Sequence, residues 1–203
     1  ETQKRPEVSI ESRKSDQAHM CVAIRGLAAE DPKRFALDLL SIVLGEGMSS
    51  RLFQELRENK GLVYDVHSGV SHFSDAGSMN VYAAMDPGKA SLALDLILEQ
   101  LVLVKKGITN EELRKAKELA KGRLVLGLED TRAIAFWTGA QLLLRNRLMT
   151  VDQVVAKIEA VRVDDIREVA ESLIIPSRLN VAIVGPFDSN SVFKNSVDAH
   201  SFG

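Results

Sequence analysis

Residues 45–73 read GEGMSSRLFQELRENKGLVYDVHSGVSHF, and this stretch decides the fold. The pattern predicts a helix end, a short helix, a turn and a strand. Gly45 and Gly47 follow an apolar helical run and suit the positive φ that closes a helix. Ser49 or Ser50 is placed to cap the next helix by accepting a backbone N–H bond. Leu52, Phe53 and Leu56 give that helix an apolar side, Lys60-Gly61 stops it, and Leu62 to Phe73 continues as a strand. Arg57 then sits on the last helical turn and Tyr64 near the strand start. They are seven residues apart across a chain reversal, so their polar tips can converge on one point. A phosphate loop is the poorer reading of the two glycines. They lack the third glycine of G-x-G-x-x-G and follow a helix rather than a strand.

Upstream, residues 1–7 are polar, contain Pro6 and read as a linker from a preceding domain. Val8 to Ser12 is a first strand. Gln17 to Gly26 is a second, in which Ala18, Met20, Val22 and Ile24 alternate with His19, Cys21, Ala23 and Arg25. Both sets are fairly apolar, which predicts a strand covered on both faces for part of its length. Asp31-Pro32 opens a helix that continues to Leu44. Downstream, Ser74 to Gly77 is a hairpin turn, and Ser78 to Met85 returns as an antiparallel strand. Asp86-Pro87 starts a helix that ends at Gly107. Thr109 with Glu112, and Thr150 with Gln153, are capping boxes opening further helices. Leu179 to Val184 is a closing strand. One domain over residues 8–186 follows, with a loose tail over 187–203. Strands and helices are segregated along the chain. That argues for an α+β fold: a mostly antiparallel sheet with helices on one face.

Composition narrows the function classes. The chain has 203 residues, 45% hydrophobic and 27% charged, with a net charge of −2. This gives no global pull toward nucleic acid or an anionic membrane. No apolar run is long enough to span a bilayer. The chain begins ETQKRPEV and is read as a fragment or processed product, so absent targeting signals say little. Composition does not fix the compartment; a soluble cytoplasmic protein is the favoured reading. The single cysteine, Cys21, excludes an internal disulfide and is expected to be buried and inert.

The stretch GEGMSSRLFQELRENKGLVY resembles the carboxyl-terminal, non-metal-binding domain of the pitrilysin, insulinase and mitochondrial processing peptidase family of zinc metallopeptidases. The matching residues are Gly45, Gly47, Ser49, Ser50, Arg51, Leu52, Arg57, Gly61, Leu62 and Tyr64, and a weaker pattern runs to LNVAIVGP near the end. The resemblance implies the same α+β, metallohydrolase-like architecture. It implies that Arg57 and Tyr64 approach a zinc site contributed by another homologous domain, in the same chain or in a partner subunit. It implies a peptide or unfolded polypeptide substrate and a dimer of parent chains. Zinc is then expected in the parent protein or partner, and no cofactor in this chain.

The residues are consistent with that division. Catalytic zinc needs three protein ligands and an open position. His19, His67, His72 and His200 show neither H-x-x-E-H nor H-E-x-x-H spacing. His67 and His72 fall on opposite sides of a regular strand. On residue type alone, Arg57 is a solvated charge at a helix end and Tyr64 a half-buried packing residue. The resemblance raises both to oxyanion and substrate donors. Arg51 reads as a structural or interdomain contact. Trp137 with Phe136 reads as core packing. The leading function is a substrate-chamber domain of a zinc metalloendopeptidase, inactive alone. The alternative is a non-catalytic scaffold subunit of the same fold, as in an inactive processing-peptidase subunit or a respiratory-complex core protein. A third reading is an unrelated α+β binding domain.

Overall fold

The structure, a computed structural model, describes residues 3–200. Five strands form one sheet: β1 (Glu7–Ser12), β2 (Ala18–Gly26), β3 (Val63–His72), β4 (Gly77–Met85) and β5 (Leu179–Gly185). Their order is β1-β5-β2-β4-β3. Only the β1–β5 pair is parallel. The last strand therefore enters the middle of the sheet and separates β1 from β2. The fold class is α+β, as the segregated pattern predicts.

Strand parity decides which face is covered. Ala18, Met20, Val22 and Ile24 are buried, as are Met79, Val81, Ala83 and Met85 on β4 and Leu179, Val181 and Ile183 on β5. The intervening residues point away from the helices. On β2, His19 and Arg25 are exposed and Cys21 and Ala23 half-buried. The strand is thus covered on one face only. The apolar look of its second face comes from small side chains on an open surface. Cys21 lies there rather than in the core, and partial burial pushes its thiol pKa up. That keeps it protonated and a poor nucleophile.

Helix α1 (Arg34–Gly45) is buried on nearly every side, because it lies on β3 and is covered in turn by α3 (Asn110–Gly127) and α6 (Val163–Leu173). It opens two residues after Pro32, with Asp31 Oδ1 accepting from the Lys33 N–H at 2.8 Å. Helix α2 (Ala90–Lys105) turns Ala93, Leu94, Ile97, Leu98 and Leu101 into the same core. Each such leucine or isoleucine contributes roughly 1.5–3 kcal/mol by leaving water. Both capping boxes form, at α3 and at α5 (Val151–Ala160).

The ends of the chain depart from expectation. The segment after Pro186 carries α7 (Ser191–Ala199), with Phe193 and Val197 buried four residues apart. Phe187 meets Phe193 edge-on at 5.1 Å. Two well-spaced anchors suffice to dock a helix whose average composition is polar. At the other end, Gln3 Nε2 donates to Leu179 O at 2.9 Å, so part of the supposed linker follows β5. Residues 1–2 and 201–203 lie outside the described residues. Helix α4 (Thr131–Arg145) leaves Phe136 exposed, so it is not core packing; Trp137 lines a cavity between α1, α3, α4 and α5. Among the described residues no helix is long and apolar enough to cross a membrane.

Candidate functional site

Between α1 and β3 the chain makes a π-helix over Phe53–Asn59, in which Lys60 N–H donates to Glu55 O at 3.2 Å. Leu52 and Leu56 are fully buried and anchor it. Gly61, at φ 58°, turns the chain, and Leu62 N–H donates back to Leu56 O at 2.8 Å. This bond folds the start of β3 against the last helical turn. Arg57 and Tyr64 therefore leave adjacent segments. The Arg57 side chain is exposed, with its guanidinium 5.1 Å from the centre of the Phe53 ring one turn earlier. That cation–π contact favours one orientation of a long side chain without using its hydrogen-bond donors.

Tyr64 owes its direction to an irregularity. Val63 pairs with Met85 and Asp65 with Ala84, so Tyr64 is the surplus residue of a β-bulge. In a regular strand Asp65 would share the buried side with Val63. The bulge resets the alternation, so Val63 and Val66 are both buried while Tyr64 and Asp65 both project from the open face. Among the described residues, neither the Arg57 guanidinium nor the Tyr64 hydroxyl has a hydrogen-bond partner.

The residues around this pair are tied down. Arg51 Nε lies 2.6 Å from Glu112 Oε1, and its Nη2 reaches Glu112 Oε2 at 3.0 Å and Gly107 O at 3.2 Å. Burial opposes ionisation of Glu112, but the Arg51 fork and the Thr109 N–H outweigh it and hold its pKa at about 2. Arg51 is thus a structural fork between the π-helix and α3. Gly47 takes the positive φ expected, at 92°, whereas Gly45 does not. Gly45 is required for close approach: a Cβ there would meet Ser68 N at 2.6 Å. Ser50 does not accept a helix N–H; its hydroxyl donates to Gly47 O at 2.7 Å and braces the turn.

The described residues do not fit a zinc ion. No group of three or more His, Cys, Asp or Glu is arranged to hold a metal. His67 and His72 occupy opposite faces of β3, as their odd spacing predicts. His72 is on the helix side, where Nδ1 bonds Leu27 O at 2.7 Å and Nε2 bonds Asp38 Oδ1 at 2.9 Å. Asp38 raises its pKa against the opposing effect of burial. Both ring nitrogens meet acceptors, so neither is available to a metal.

One cluster escapes a motif-based reading. On the open face, His19 Nδ1 lies 2.7 Å from the Tyr82 hydroxyl, and His67 packs over Tyr82 at 4.9 Å between ring centroids. Asp65 Oδ2 is 3.3 Å from His67 Nδ1. The signal was the outward parity of β2 and β4, which puts His19 and Tyr82 on one face once the strands are known to be neighbours.

The comparisons agree with this architecture. Residues 1–119 match the model of the peptidase M16 inactive domain. An uncharacterized zinc protease of Streptomyces coelicolor is 39% identical over 88% of this chain and 39% of its own length. The mitochondrial-processing peptidase subunit beta of Bos taurus is 26% identical over 90% of this chain and 39% of its own. A chain of complex III2 from Candida albicans superposes with a TM-score of 0.84 at 16% identity, covering 97% of this chain and 49% of that one. The last shows the fold alone. The chain spans about two fifths of the length of these curated relatives. It belongs to the M16 family of zinc peptidases and corresponds to that family's inactive domain.

Proposed function

We propose that this chain forms part of the wall of a substrate chamber in a zinc metalloendopeptidase. In that role it supplies Arg57 and Tyr64 to a zinc site held by another homologous domain. The observation that carries the reading is the contrast within one segment. Arg51 is fully engaged, while Arg57 and Tyr64 are exposed, uncommitted and set on adjacent segments beside an open sheet face. The metal-bearing domain supplies the activated water in this reading. This chain's part is to position and stabilise. The Tyr64 hydroxyl donates to the oxyanion that develops on the attacked carbonyl, and the Arg57 guanidinium donates to a carbonyl of the bound peptide. Preorganised donors of this kind lower the barrier because they need no reorientation as charge builds. The substrate is a peptide or unfolded polypeptide. The zinc-bearing partner is a domain of the same parent chain or of a partner subunit, with two parent chains per assembly.

The test is peptide cleavage by the full-length parent with zinc, beside its Tyr64→Phe variant. Loss of one transition-state donor lowers kcat by roughly 100-fold. Equal rates would make Tyr64 a packing residue.

The second reading is a scaffold subunit of the same fold, as the family resemblance also allows. A parent that cleaves nothing, even with a zinc-bearing partner added, selects it.

A further inference from the structure

The His19–Tyr82 pair has no structural task of the usual kind. It lies on the uncovered face, and neither side chain reaches the core. Yet Tyr82 is held on both sides, by the His19 hydrogen bond at 2.7 Å and by the His67 ring at 4.9 Å. Two contacts that fix an outward-facing tyrosine hydroxyl amount to preorganisation at a surface.

The pair's hydrogen-bonding pattern identifies what it fits. If the Tyr82 O–H donates to His19 Nδ1, the tyrosine oxygen is left as an acceptor and His19 Nε2–H as a donor. With the other tautomer the roles exchange. Either way neutral His19 and Tyr82 present one donor and one acceptor side by side. An extended chain turns N–H and C=O groups of alternate peptide units to the same side, so a donor and an acceptor together match its backbone. The floor beside them is low. Ala84 pairs with His19 on one side and with Asp65, next to Tyr64, on the other. His19 and Asp65 are therefore two strand spacings apart, about 10 Å, or the length of about three residues of extended chain.

We infer that His19 and Tyr82 grip the backbone of an extended polypeptide lying across the open face, about three residues from the point that Tyr64 reaches. The inference rests on the reading of this face as a chamber wall. The ligand is polypeptide backbone, recognised independently of side-chain sequence, and the grip acts on substrate binding rather than on the chemical step.

The experiment uses the full-length parent with its zinc-bearing domain and two readouts. One is cleavage kinetics. The other is binding of a short, uncharged, fluorescein-labelled unstructured peptide by anisotropy after zinc is chelated. Tyr82→Phe keeps the ring and its stacking on His67, so the fold is retained. It is expected to raise KM and weaken peptide affinity by roughly 5- to 10-fold with kcat within about twofold, the loss of one hydrogen bond. Unchanged KM and affinity in Tyr82→Phe, or a fall in kcat alone, overturns the grip. If the parent never cleaves but Tyr82→Phe still loses peptide affinity, the grip stands and the Arg57–Tyr64 reading falls.

Discussion

Val66 and His67 are neighbours in sequence and sit in opposite worlds. Val66 is buried under α1, on a face where Met, Leu, Ile and Val side chains interdigitate with helices. His67 is exposed on a face that carries alanines, serines and a few polar groups, with no helix over it among the described residues. The same five strands make both faces, so strand order and hydrogen bonding cannot account for the difference. Side-chain parity does. The covered face holds the free energy of folding, and its polar groups are spent on one another: His72 on Asp38 and Leu27, Ser68 on Ser41 O at 2.7 Å. The open face contributes little to stability and keeps its polar groups pointed at solvent. Stability and the proposed chemistry are separated by the thickness of one sheet.

That separation breaks most easily under substitutions on the covered side. Leu56→Ala removes a fully buried anchor of the π-helix and should cost about 3 kcal/mol in denaturant unfolding. A loss under about 1 kcal/mol would mean the π-helix is not held by the core. Next comes Glu112→Gln, which strips the charge from the Arg51 fork and is expected to cost about 2 kcal/mol near neutral pH. The pH dependence gives the sign. The folded pKa is depressed, so the contribution is complete above the ordinary value of 4.5 and is lost as pH falls toward about 2. The variant should lack that acid-side loss. A smaller effect attends His72, whose folded pKa is raised. Its contribution is full below the ordinary value of 6.5 and fades as pH rises through the raised one. His72→Gln should flatten that part of the stability profile, by about 1 kcal/mol or less. The smallest effect sharpens the contrast. Tyr64→Phe, so costly to catalysis in the proposed reading, should move stability by under about 0.5 kcal/mol.

Much of this was legible in the sequence, for identifiable reasons. Capping boxes at Thr109 and Thr150 are local hydrogen-bond patterns and formed as read. The odd spacing of His67 and His72 placed them on opposite faces because the strand between them is regular. The misses are non-local. Gly45 was read for its own dihedral, whereas its constraint comes from Ser68, across the packing of α1 on β3. Cys21 and Ala23 looked like a second buried face because small size and burial give the same hydropathy. The tail's average hydropathy concealed Phe193 and Val197. The site itself divides in the same way. Arg57 and Tyr64 stood out through a motif with fixed spacing. The His19–Tyr82 contact needs strand pairing between residues 63 positions apart, and no window on the chain contains it.

The bulge at Tyr64 has a further meaning when seen as chain length. Val63 already faces Met85 and Asp65 already faces Ala84, so the ladder would close without Tyr64. The π-helix before it likewise holds more residues per turn than an α-helix over the same rise. Arg57 and Tyr64 thus come from two consecutive places where the polypeptide has slack. Shortening the chain at Tyr64 would leave the register of every other strand pair intact and remove only the side chain.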